Sequence, residues 1–516
     1  MTREWNTLKR RNPPVGTQLS APNPEVINHE IDCLLAELAE GRVEGVAYDT
    51  AWIARLGLRY PGNGFESALE WLRRNQYEDG SWGGPLVQYH DRFISTLAAI
   101  VALREAGADP RDERRVRRGE SILWKIMGRL GRDDSDTIGF PILSASLATE
   151  ATALGLDVPM PPMRFASAYR KKVQALLDNP NRNWRATTVA FSLEALRNSI
   201  RDSDQVLEAN GSVASSPSAT AAFLLSVNSP NEQAALDYLQ RSQQEDGSVP
   251  AVAPIDLFSI AWSLTHLLQA GAVEPDSPQI TRLLDHLWRS WSPTVGTSFS
   301  SYYPVTDSDC TAIGLSVLKW GNYPVSADVL SYYEGEQDFF CYVDETNPAL
   351  SAQVRLLSTL RKCDDHPNYP AWSAKIVGTL HRLDENGSYW WDKWHASPYY
   401  VSGIALDALR GLDDRLVRSR LKWILRTQND DGGWGYLGES TPEETAYCLQ
   451  ALTKWYNLGE TFDRSIMDAA ANYLWKNLFS YRKIPLWIGK SMYHPEGPVR
   501  AAILGALHRY VPIQLR

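Results

Sequence analysis

Five short stretches decide how this 516-residue chain folds: QYEDGSWGG at 76–84, ANGSVASSP at 209–217, QQEDGSVP at 243–250, DENGSYWW at 384–391 and QNDDGGWGY at 428–436. All are glycine-bearing loops, four of them acidic, set between runs with apolar residues at i, i+3 and i+4 such as NHEIDCLLAELAEG near 28–41 and LDYLQRSQ near 236–243, the period of a helix with one buried face. After several of the loops a new helix opens on Ser, Thr or Pro and continues with small residues: SPSATAAFLL from 216, ASPYYVSGIAL from 396, STPEETAYCLQAL from 440. Two further openings, YDTAWIARL from 48 and DSDCTAIGLSVL from 307, share a Thr-Ala step. Glycine supplies the positive φ that ends one helix, Asp, Ser or Thr caps the next, and alanine lets neighbouring helices approach closely. Alternating runs suited to strands are scarce. The predicted fold is therefore all-α, with helical hairpins repeated over most of the chain and closed into double rings, that is, α/α barrels.

Composition narrows the function. With 44% hydrophobic and 22% charged residues the chain reads as an ordinary soluble globular protein, and its length suits two large helical domains. Nineteen Trp and twenty-three Tyr are enough both to pack cores and to line a pocket for an apolar or cationic molecule. A net charge of −9 argues against a nucleic-acid partner, and the densest basic stretch, RDERRVRR at 111–118, reads as a solvated helix face. The cysteines at 33, 310, 341, 363 and 448 form no CxxC pair, which points to a reducing compartment. No apolar run approaches the roughly 20 residues of a membrane helix, and MTREWNTLKRRNPP lacks a signal core. The expected location is cytoplasmic.

The loops QxxDGSW and QxxDGGWG resemble the QW repeats of the terpene cyclase and protein prenyltransferase superfamily. Their company is more specific: AYDTAW at 47–52, GRDDSDTIGF at 131–140, VPAVAPIDLF at 249–258, DSDCTA at 307–312, VSADVL at 325–330, DKWHASPYY at 392–400 and WIGKSMY at 487–493. In this order and at these distances they resemble the class II diterpene cyclases of the copalyl diphosphate synthase type over nearly the whole chain. That resemblance implies two α-barrel domains, β and γ, with γ inserted after the first helix of β. The expected division is 1–43 for the start of β, 44–290 for γ and 291–516 for the rest of β. It implies an active cavity between the two. The sequence contains no DDxxD motif for ionising a diphosphate, so the product is expected to keep its diphosphate. A class I terpene synthase or a phosphatase would then act downstream, and a homodimer is left open.

The resemblance assigns the chemistry residue by residue. A cyclisation begun by protonating an alkene needs a neutral, water-shielded carboxylic acid. In the DxDD motif of the family the middle Asp is that acid, which makes Asp309 the acid and Asp307 its support; the plainer alternative is that both merely cap the helix TAIGLSVL. Cys310 departs from the family at the last Asp. Asp-Cys-Thr-Ala also resembles the DCTAE motif of oxidosqualene cyclases, so an epoxidised prenyl substrate stays open beside a tolerated substitution. Asp133, Asp134 and Asp136 fall where the family binds Mg²⁺ and diphosphate, or form a solvated acidic loop. Lys393, and Lys171 or Lys172, match diphosphate-contacting lysines, or lie at the surface. Trp391, Trp394, Tyr399, Tyr302 and Tyr303 flank family motifs and are candidates to line a cavity for carbocations.

In enzymes that make ent-copalyl diphosphate a His and an Asn hold the water that takes the last proton. By position they become Phe191 and Ala251, neither of which holds a water. The ent-copalyl product is therefore disfavoured, and a different stereoisomer, a smaller ring system or a rearranged skeleton is expected, the clerodane or halimane type being more frequent here than in a family member chosen at random. The expected substrate is geranylgeranyl diphosphate, with a drimenyl-type cyclisation of farnesyl diphosphate as the alternative. Outside the cyclases, a protein prenyltransferase β-subunit with zinc on Asp, Cys and His and a helical repeat scaffold are the competing readings.

Overall fold

A computed structural model describes residues 21–515 except 108, 134, 162–165, 197–198, 201–204, 344 and 346–347. Its helices come in two kinds. Inner helices such as Asp256–Ala270, Ser308–Trp320, Leu350–Leu360 and Pro442–Asn457 are buried on nearly every face, as helices enclosed by others must be. Outer helices bury one stripe only: Pro278–Arg289 sinks Ile280, Leu283, Leu284 and Leu287, and Asp414–Arg426 sinks Leu416, Val417, Leu421 and Ile424 beside Arg420. Inner and outer helices alternate along the chain, which gives the two α/α barrels expected from the repeats.

The repeated loops are the fasteners of this arrangement. In three of them the indole N–H of the tryptophan donates to a carbonyl ten residues back, Trp82 to Leu72, Trp390 to Leu380 and Trp434 to Ile424, at 2.9, 3.3 and 2.9 Å. The Gln76 amide donates to Gly80 and Arg115 carbonyls, and Gln428 to those of Gly432 and Ile466. Each loop thus satisfies carbonyls that helix ends would otherwise leave bare. Gly432 has φ 87°, and a Cβ there would stand 2.6 Å from the Ala469 carbonyl oxygen, so the following outer helix packs directly on it. Ser216, Ser397 and Thr441 cap the helices they open, as predicted.

Two apolar cores mark the two bodies. One runs from Ala47 to Val249 and adds Tyr303; the other joins Ile27–Val43 to almost everything after Val252. This corrects the expected boundary. Helices Asp256–Ala270 and Pro278–Arg289 were placed in γ, yet Ile260, Leu264, Leu267, Leu283 and Leu287 belong to the β core with Ile503 and Leu507 of Glu496–Gln514. The γ body therefore ends near 250. Periodicity finds a helix but carries no label of the core it faces.

Two short strand pairs lie at the boundary between the bodies. Gly45–Val46 pairs antiparallel with Val249–Pro250 where the chain enters and leaves γ. Near the C-terminus Trp487–Ile488 pairs with Met492–Tyr493, and this hairpin belongs to β by sequence but reaches γ: Gly489 O accepts from Ile138 N (2.8 Å) and Met492 N donates to Asp91 (3.0 Å). No helix among the described residues is long and apolar enough to cross a membrane.

Candidate active site

The segment 307–310 starts an inner helix of β. Asp307 is its cap, with Oδ1 accepting from Cys310 N at 2.7 Å, and the Cys310 thiol bonds to the same residue. The capping alternative thus holds for Asp307 and fails for Asp309. Asp309 is 6% exposed and its Oδ1 has no hydrogen-bond partner. Burial pushes its pKa well above the usual carboxylate range; the Arg355 guanidinium opposes this, and Asp307 and Asp392 add to it. Burial also raises Asp307, against the hydrogen bonds from Cys310, to about 6. Burial of Asp309 therefore favours its protonated form.

Arg355, on the neighbouring inner helix Leu350–Leu360, is missing from the sequence-based assignment. It is buried, donates to Tyr400 Oη (3.3 Å), and lies 5.5 Å from the Tyr400 ring and 5.8 Å from that of Trp262. A positive charge that favours the carboxylate makes Asp309 a stronger acid when it does transfer. Asp392, the first residue of DKW, accepts from the backbone N–H of Ser351 (3.0 Å) and Trp394 (3.2 Å) and is fixed facing the same pocket of charge. The signal for Arg355 was present: an arginine among ten mostly apolar residues of a helix with no polar face, LSAQVRLLSTL.

The five aromatic candidates divide. Tyr303 is buried and stacked on Phe299 at 4.4 Å, and both it and Asp307 perturb Tyr342, which meets Trp394 edge-on at 6.2 Å. Tyr303 and Trp394 thus gather near the acid with Tyr342, a residue the motifs did not mark. Trp391 packs on Tyr436 (4.6 Å) and Tyr399 on Trp423 (4.4 Å), in a second cluster shared with Tyr389. Tyr302 is 40% exposed, which does not suit a water-free wall. Lys393 pairs with Glu345 at 2.7 Å and lies 4.9 Å from the Trp394 ring centre. Lys171 and Lys172 fall on Ala166–Asp178, but their side chains lie outside the described residues.

In the acidic segment, Asp133 and Asp136 converge on one cation, the side chain of His90: Nδ1 is 2.8 Å from Asp133 and Nε2 2.9 Å from Asp136. Burial opposes the charge on this imidazole, but the two carboxylates raise its pKa to about 9. Asp134 lies outside the described residues. Two carboxylates already gathered on a positive group suit a divalent cation, provided His90 releases them. Among the described residues no three His, Cys, Asp or Glu side chains are poised to hold a metal as they stand; Asp307 and Cys310 are bonded to each other.

Across the domain boundary, Phe191 lies half-buried in the 3₁₀ segment Thr188–Ala195 and packs against both cores, while Ala251 is 1% exposed just after Val249–Pro250. The hairpin at 487–493 lies beside all these parts. Ile488 N donates to Trp394 O (2.9 Å), Tyr493 is perturbed by Asp309 and Cys310, and Lys490 Nζ is 2.8 Å from Phe191 O. An open cavity of about 350 Å³ lies elsewhere, lined by Trp71, Tyr77, Lys483 and His494 among others and not by Asp309.

This arrangement of a shielded acid, aromatic faces and an acidic segment has relatives. Residues 336–457 match the squalene-hopene cyclase C-terminal domain. A type B diterpene cyclase of Mycobacterium tuberculosis is 34% identical over 92% of this chain and 97% of its own length. The chloroplastic ent-copalyl diphosphate synthase of Arabidopsis thaliana is 32% identical over 68% of this chain, which spans 44% of that longer protein. The structure of ent-copalyl diphosphate synthase from Streptomyces platensis superposes with a TM-score of 0.78 at 27% identity, covering 94% of this chain and 99% of that one. The prenyltransferase and scaffold readings are replaced by these relationships: the chain belongs to the class II diterpene cyclases.

Proposed function

We propose that this cyclase protonates an alkene of geranylgeranyl diphosphate and closes two rings, giving a labdane-, clerodane- or halimane-type diphosphate with the diphosphate retained. The observation that carries the reading is Asp309: buried, its pKa raised by that burial, with an unpartnered oxygen and a guanidinium nearby to strengthen it as an acid. In the first step the O–H bond of Asp309 breaks, its proton joins the terminal alkene carbon, and the alkene electrons leave a tertiary cation that the next double bond captures. Tyr303, Tyr342 and Trp394 offer π faces to the positive charge. Asp133, Asp134 and Asp136 would hold Mg²⁺, which neutralises diphosphate charge when bound, with Lys393 adding a further positive group once freed from Glu345. A product that retains its diphosphate calls for a class I synthase or a phosphatase, and a cytoplasmic site suits both.

The deciding experiment incubates the enzyme side by side with geranylgeranyl and farnesyl diphosphates, then dephosphorylates and identifies the products by mass spectrometry. A bicyclic C20 alcohol from the first supports the reading. A C15 drimane alcohol as the main product would transfer it to farnesyl diphosphate, and no cyclised product from either would end it. Thorough chelation should lower the rate; an unchanged rate removes Mg²⁺ from the proposal.

A further inference from the structure

The hairpin tip Gly489–Lys490–Ser491 carries an ammonium group out of the β body and into γ. Lys490 is fully buried, and its Nζ has four acceptors within reach: Phe191 O and Glu194 Oε1 at 2.8 Å, and the hydroxyl oxygens of Ser216 and Ser218 at 2.5 Å. It also lies 4.7 Å from the centre of the Phe191 ring. Glu194 Oε1 is shared with the Tyr48 hydroxyl (2.9 Å) and the Ser218 hydroxyl (3.1 Å), so the cluster is cross-linked from three γ segments. The segment bearing Phe191 departs from helical geometry at Ser192 (φ −111°, ψ 34°), and its carbonyl at 191 is held by the lysine.

A joint between two apolar cores does not need this. Replacing a buried ion pair with well-packed hydrophobic side chains is often neutral or stabilising, so a buried pair argues for geometric specification more than for cohesion. What Lys490 specifies is the position of one residue, gripping it by carbonyl and by ring. Three residues along the same hairpin, Tyr493 is close enough to Asp309 and Cys310 to be perturbed by both. One turn therefore runs from the neighbourhood of Asp309 to Phe191.

We propose that Lys490 is a positioning residue that sets Phe191 against the cavity, and so governs where the cation is quenched without taking part in its formation. This rests on the cyclase reading above and on Phe191 facing the cation. The test is Lys490→Met, with Lys490→Arg as the conservative rescue, assayed with geranylgeranyl diphosphate for total substrate consumed, product ratio and melting temperature. We expect Lys490→Met to keep consumption within about tenfold of wild type while moving at least a fifth of the product into other isomers, and Lys490→Arg to restore much of the original ratio. An unchanged ratio, with activity falling only as far as the loss of folded protein accounts for, overturns the positioning role. If Lys490→Met does not fold, Ser216→Ala with Ser218→Ala removes two of the four acceptors and is judged on the same product ratio. A wild-type enzyme that forms no cyclised product is a different failure: it overturns the proposed function, and this inference with it.

Discussion

Asp309 in β and Glu194 in γ are both buried carboxyl groups on the edge of the same boundary, and the protein surrounds them in opposite ways. Glu194 Oε1 receives bonds from Tyr48, Ser218 and the Lys490 ammonium. Asp309 Oδ1 receives none, and its closest charged company includes two other acids. Three donors on one oxygen fix Glu194 as a fastener, although its Oε2 is as unpartnered as Asp309 Oδ1, whereas burial pushes the Asp309 pKa well above the usual carboxylate range and so favours its protonated form. The donors that reach each group, and not burial alone, distinguish the two.

The sharpest break of that contrast is Asp309→Asn. An amide fills the same space and cannot deliver a proton to carbon, so product formation should fall by a factor on the order of a thousand, about 4 kcal/mol of barrier, with the melting temperature nearly unchanged. Product within tenfold of wild type would remove Asp309 from its role. Next in size is Arg355→Gln. Loss of the guanidinium leaves Asp309 protonated but a weaker acid, and kcat should drop roughly 10- to 100-fold while KM for the diphosphate stays put. A KM effect alone would mean that Arg355 serves substrate binding.

The family comparison sharpens the far wall. Phe191→His together with Ala251→Asn would restore two polar side chains where the resemblance places a water-holding pair. Some product should then move toward simple deprotonation, seen by chiral chromatography of the dephosphorylated alcohols. The effect is bounded, because a cation–π preference of about 1–2 kcal/mol changes branching roughly 5- to 30-fold. If ent-copalol is already the main product of the unaltered enzyme, the positional argument for Phe191 and Ala251 is wrong.

How far the sequence led differs between the two acids. Asp307, Asp309 and the caps at Ser216, Ser397 and Thr441 were legible because each sits at fixed spacing before a helix, and local chemistry is what spacing records. The hairpin was visible as the motif WIGKSMY, but the partners of Lys490 lie 272 to 299 residues away, and no local pattern announces them. Arg355 was hidden by habit, since an arginine in a helix usually faces water. His90 carries no such signal, because it opens a helix some 43 residues before the acidic segment whose countercharge it supplies. The γ boundary failed for the same reason as Lys490: membership of a core is a long-range property.

Asp49, beside the fastener, is a second γ carboxyl group with an unpartnered oxygen. Its Oδ1 accepts from Ser218 N (3.0 Å), but Oδ2 has no partner. Burial, opposed by Lys490 and Ser218, raises its pKa from 3.8 to about 7. A folded state that holds this proton more tightly than the unfolded chain is favoured at low pH. Its contribution is fully present below about pH 4, declines as pH rises toward 7, and levels off above that, over a range on the order of 4 kcal/mol. Asp49→Asn cannot lose a proton, so its stability should lack this decline. Melting temperatures of the two proteins between pH 4.5 and 8 should therefore diverge as pH rises, the wild type falling relative to the variant, with little change in product ratio since Lys490 keeps its four acceptors. Parallel pH profiles would show that Asp49 does not hold its proton more tightly in the folded protein.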